Sequence, residues 1–158
     1  MSSVRQNILN LMGEKLPLIS TANGYSNTVR IENIYKGFKS LNQINTFPSL
    51  FYGLGSESLQ SESEDNNTLI QKCEAYIGIY FKSEDLSAEY EEWIRDLKRF
   101  IMCDRTLTDN MYLDFNEVNY VQSWLINDIQ PYMDYDKKIG SLLVTFEIDY
   151  LESVRGGL

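Results

Sequence analysis

Residues 142–151 alternate without a break. Val144, Phe146, Ile148 and Tyr150 fall on one side, and Thr145, Glu147 and Asp149 on the other. A period of two belongs to a half-buried strand, because successive side chains of a pleated chain point to opposite faces. Residues 69–81 repeat the pattern. Cys73, Ala75, Ile77, Ile79 and Phe81 share one side, with Lys72, Glu74, Tyr76 and Tyr80 opposite. Two long strands of this kind demand a sheet with one apolar face, and something must cover that face.

The cover is legible too. From Ser87 to Cys103 the apolar residues Trp93, Ile94, Leu97, Phe100 and Ile101 recur at helical spacing, giving one stripe. Ser87 is the expected N-cap; Glu89, Glu91 and Glu92 load the positive end, and Lys98 and Arg99 the negative one. Val4, Ile8, Leu11 and Met12 predict a shorter N-terminal helix that Pro17 closes. Asn23-Gly24 marks a turn, and residues 29–38 read as a strand with one solvated face.

Residues 47–57, Phe-Pro-Ser-Leu-Phe-Tyr-Gly-Leu-Gly-Ser-Glu, read as a strand over 47–54 that Pro48 places at a sheet edge. Residues 56–67 are acidic and almost free of apolar side chains, which predicts a mobile hairpin loop. Residues 118–129 predict a further strand with Val118, Tyr120, Gln122, Trp124 and Ile126 on one side, and 131–140 a turn. Residues 152–158 read as a flexible tail. The expectation is one α+β domain over residues 1–158: a mostly antiparallel sheet of about five strands, with one long and one short helix on one face.

Composition narrows the function. The chain has 158 residues, 14 basic against 23 acidic, a net charge of −9. That balance argues against a surface that grips nucleic acid, which needs clustered Lys and Arg. No stretch approaches the ~18 apolar residues of a membrane helix, and no signal peptide opens the chain, so a soluble cytoplasmic protein without membrane contact is expected. Two distant cysteines in such a compartment read as small core residues.

There is no histidine. The commonest general base, the Ser–His and Cys–His pairs and the usual zinc ligand are therefore missing. No phosphate-binding glycine motif occurs. Three carboxylate groups deserve weighing: Glu62, Glu64 and Asp65; Glu89, Glu91 and Glu92; Asp134 and Asp136. Each reads better as a solvated loop, a helix-dipole partner or a turn than as a converging catalytic set. Neither enzyme chemistry nor a cofactor or metal is expected. Eleven tyrosines suit a second sheet face that makes protein contacts. The expected contact residues are Phe47, Pro48, Leu50, Tyr52, Ser56, Glu57, Glu62, Glu64, Asp65, Tyr76 and Tyr80.

Taken in order, several blocks resemble one family. They are Thr21-Ala-Asn-Gly-Tyr25-Ser-Asn-Thr-Val29, the 47–57 block, Tyr76-Ile-Gly-Ile-Tyr-Phe-Lys82, Trp93-Ile-Arg-Asp-Leu97 and Val144-Thr-Phe-Glu-Ile-Asp-Tyr150. Over residues 8–151 the set is similar to the tail terminator (tail completion) proteins of long-tailed bacteriophages; residues 58–67 and 104–116 match nothing in it. The resemblance implies a virion protein of the tail neck, assembled in the host cytoplasm. It implies a homohexameric ring that caps the head-proximal end of the tail tube and ends its polymerisation. Its partners would be further copies, the tail tube protein and a head–tail connector or stopper, with viral DNA sliding through an acidic lumen without specific binding. A connector or stopper, a small adaptor, and a carboxylate-dependent enzyme that binds a divalent metal are the competing readings.

Overall fold

The computed structural model describes residues 3–62, 68–107 and 110–153. Helix α1 spans Val4–Lys15, capped by the Ser3 hydroxyl on Gln6 N, and a 3-10 turn follows at Leu16–Leu18 with Pro17 inside it. Strand β1 is Ile34–Lys36, β2 is Ser49–Glu62 and β3 is Thr68–Lys82. Helix α2 is Leu86–Ile101; β4 is Val121–Asp134 and β5 Ile139–Ser153. The five strands form one sheet in the order β1-β2-β3-β5-β4, antiparallel throughout except where β1 runs parallel to β2. The fold is α+β, as the periodicities predict.

The two clearest alternations hold. Cys73, Ala75, Ile77, Ile79 and Phe81 are buried, as are Leu142, Val144, Phe146, Ile148 and Tyr150. Both helices lie on this face, and their apolar stripes join its residues in one core that includes Ile8, Met12, Trp93, Leu97, Phe100 and Ile101. Each such side chain contributes about 1.5–3 kcal/mol through burial. Lys98 and Arg99 sit in the last turn of α2 and Glu89 in its first, matching the dipole.

Other expectations are corrected. The N-cap of α2 is Asp85, two residues before Ser87; its carboxylate accepts from Ala88 N, and Ser87 already lies inside the first turn. The strand expected over 29–38 shrinks to Ile34–Lys36: Ile31–Asn33 is a 3-10 turn, and Gly37, at φ 90°, bends the chain away. The loop expected over 56–67 is strand as far as Glu62, because residues 57–62 pair with 69–73 of β3 despite their polarity. Glu64 and Asp65 lie outside the described residues, as do 154–158 of the expected tail, while Glu152 and Ser153 belong to β5.

Residues 131–134 are not a turn either. They extend β4, an edge strand that tolerates Pro131. Register shifts at Gln122 and Asn127 change the phase of β4 twice, so Val121, Trp124, Ile126, Ile129 and Met133 face the core. Of the face expected from a strict period, Val118, Trp124 and Ile126 do face the core, and Tyr120 and Gln122 do not. Tyr120 is largely exposed and Gln122 faces solvent.

Candidate functional site

Among the described residues, one face of the sheet carries no helix and two of its edges carry no further strand; these are its candidate contact surfaces. Across the uncovered face the register sets Tyr35, Phe51, Gly78, Leu143 and Gln130 in one row. Phe51 packs edge-on against Phe38 at 5.2 Å between ring centres, and against Tyr80 and Tyr76 at 5.6 and 6.1 Å. The glycine in the row makes this possible, since a Cβ at Gly78 would overlap the Phe51 ring. Phe51 is buried, yet Phe38 beside it is 66% exposed and Tyr132, across a shallow groove, 60%. Further along, the same face turns polar: Lys72 Nζ lies 3.2 Å from Glu147 Oε2, and Ser123 donates to Asp149.

The residues expected to make contacts separate in this geometry. Tyr76 and Tyr80 lie on the uncovered face, half-buried, and the Tyr80 hydroxyl donates to Lys39 O. Phe47 and Pro48 precede β2, joined by a cis peptide, with the Lys82 ammonium 5.0 Å over the Phe47 ring. Leu50 and Tyr52 turn the other way. They are core residues, and Tyr52 is wedged beneath α1, so this fold offers neither to a partner. Ser56 is exposed. Glu57 enters the helix-facing rows because β2 shifts register between Leu54 and Glu57. There it accepts from the Tyr150 hydroxyl and pairs with Arg5 at 3.6 Å, while Arg5 also donates to Gly55 O. Desolvation, and then the charge of Glu152, raise the Glu57 carboxyl above its ordinary value, with Arg5 opposing. Glu62 closes β2.

The expected edge is found in half of its range. Residues 50–52 lie between β1 and β3, whereas beyond Tyr52 no described strand covers the outer side of β2. The second open edge is β4 along its length. Exposed apolar side chains gather at both: Leu59 on β2, and Leu125, Tyr132 and the adjacent Met102 by β4. Between α2 and β4 runs a groove of about 520 Å³ lined by Lys98, Arg99, Met102, Asp104, Leu125 and Ile126.

Titratable groups away from these edges are held in structural roles. Burial pushes the Cys73 thiol up to about 11 and the Cys103 thiol up to about 12, so both stay protonated at neutral pH and are poor nucleophiles. Among the described residues no three of His, Cys, Asp and Glu gather as a metal site would require. Glu89, Glu91 and Glu92 sit on or near the outer side of α2, and Asp134 accepts from Lys137 N in the β4–β5 turn.

One residue escaped the sequence reading. Asp96 is wholly buried, accepting from Ser26 N and Asn27 N, each at 2.9 Å, and from Asn27 Nδ2 at 3.0 Å. Its neighbour Arg99 donates to Asp104 and Gly24 O, both at 2.7 Å, and lies 5.5 Å over the Tyr25 ring. The signal was present: position 96 falls inside the stripe of Trp93, Leu97 and Phe100, where an acid must find partners. Here it pins the 24–28 turn to α2.

No family model matches the sequence, and no curated protein does. Among solved structures the chain is similar to one in the "Virion of native gene transfer agent (GTA) particle", with a TM-score of 0.49, 8% identity and 92% of each chain covered.

Proposed function

We propose that this chain is a structural protein of a phage-like tail: a terminator that forms a homohexameric ring, caps the head-proximal end of the tail tube and joins it to the head connector. One observation carries the reading. Among the described residues the sheet has two edges of opposite strand direction that no strand covers along their whole length, and it keeps both helices on one face, so identical copies set side by side extend one sheet with their helices on the same side. Such a contact joins unlike surfaces of identical copies, and it ends only by closing into a ring. The ordered sequence blocks that resemble tail terminators support placing the ring at the neck. The net charge of −9 suits a lumen through which DNA slides, because like charge repels phosphates.

Electron microscopy of the purified protein mixed with tail tubes tests this. Sixfold rings on the head-proximal end only, with tubes of unchanged length, are expected. Rings that bind the capsid vertex and ignore tubes indicate a connector or stopper. Particles that bind neither refute the neck assignment.

A further inference from the structure

We propose that the groove between α2 and β4 docks an acidic peptide segment of another protein, which seats a large apolar side chain over Met102 and Leu125 and sets its carboxylates against Lys98 and Arg95. The inference stands apart from the ring reading and adds a surface for a different partner.

The rim of the groove decides the charge of the occupant. Arg95, Lys98 and Met102 share one face of α2 at spacings of three and seven, and Arg105 follows just beyond the helix. Arg95, Lys98 and Arg105 are exposed, and none makes an ion pair with a described residue. The acids close to them in sequence are engaged elsewhere. Asp96 is buried against the 26–27 turn, and Asp104 is held by Arg99. Arg99 adds nothing to the rim, since Asp104 and Gly24 O occupy its guanidinium. The helix dipole accounts for Lys98 in the last turn, but not for Arg95 before it or Arg105 after it.

The floor decides the rest. Met102 is 46% exposed and Leu125 63%, with the partly buried Ile126 beside them. An apolar floor gains nothing from a phosphate backbone, so the anion that fits is a carboxylate on a peptide that also carries an apolar side chain. Methionine, unbranched and polarisable, adapts to the shape of what covers it. Three unneutralised cations thus gather beside an apolar groove in a chain of net charge −9. An acidic segment is attracted there and repelled by the protein as a whole, which confines it to this groove. Charge then governs encounter and choice of partner, while the covered apolar side chains hold the contact.

Titration of the isotope-labelled full chain, followed by NMR amide shifts, tests the site. The probe is the peptide Gly-Glu-Glu-Leu-Glu-Glu-Gly. One control carries lysine for every glutamate, and another serine for the leucine. Saturable shifts centred on residues 95–105 and 123–127 are expected with the probe, and weaker binding with either control. Raising sodium chloride from about 0.05 to about 0.5 M is expected to weaken binding of the probe several-fold. Lys98→Glu and Met102→Ser alter exposed positions, and each should raise Kd several-fold while the remaining amide shifts stay in place. Rings formed by Lys98→Glu protein on tail tubes as by wild type are expected too, since the groove serves another partner. No saturable binding at millimolar probe, equal binding of the lysine control, or shifts centred elsewhere overturns the proposal. Self-association that moves the same amides without peptide, and is lost in Lys98→Glu, makes a second copy the occupant and overturns it as well.

Discussion

Asp96 is where one side chain decides the most. Its two oxygens accept from two backbone N–H groups and one side-chain amide of the 26–27 turn, a segment some seventy residues distant in sequence. Removing the carboxylate leaves those part-buried donors without their acceptor, and a donor left unmet costs more than its bond contributed. Asp96→Ala is expected to lower the free energy of unfolding by ~2–4 kcal/mol in urea titration, and Asp96→Asn by less, since it keeps one acceptor oxygen. A loss within error of zero would mean that the turn is held by Arg99 and Tyr25 alone. That position 96 interrupts an apolar stripe was legible in the sequence; its partners were not, because nothing local to Ser26 or Asn27 announces a distant carboxylate.

Among the elements, α1 owes its place to a close approach. Gly13 faces the Tyr52 ring, and a Cβ there would overlap the hydroxyl and lie 3.1 Å from Cζ. In an exposed helix, replacing glycine by alanine stabilises by ~0.5–1 kcal/mol, but crowding a packed site costs ~1–3 kcal/mol. Gly13→Ala is thus expected to lower the melting temperature. In a Tyr52→Phe background, which removes the colliding oxygen, the same change should become neutral or stabilising. Equal losses in both backgrounds would place the strain elsewhere. Elements differ sharply in how well the sequence foretells them. β3, β5 and α2 carry unbroken periods, and each folds with the expected face inward. β4 does not, because two bulges reset its phase and a bulge has no fixed residue signature. The polar 57–62 stretch joins the sheet because β3 supplies a partner for its backbone. Backbone pairing is indifferent to how polar the side chains are.

At the scale of the whole molecule, charge opposes assembly. In the proposed ring, six copies at a net charge of −9 each repel one another strongly at low salt, and exposed charges are screened within ~10 Å at 0.1 M ionic strength. Raising sodium chloride from about 0.05 to about 0.5 M is expected to lower the protein concentration at which rings form, as read by sedimentation velocity. Dissociation by salt would mean that ion pairs, and not the strand ladder, hold the ring. The amino-acid sequence by itself determined which face of β3, β5 and α2 is apolar, and hence a sheet covered by helices on one side. These are short-range patterns, set by the two-residue and 3.6-residue repeats of the chain. Only the tertiary structure decided which strands are edges, that Leu50 and Tyr52 belong to the core, and that Asp96 is buried with its partners. Strand order and partner choice depend on contacts between residues far apart in sequence, and such contacts leave no periodic trace in the segments that make them.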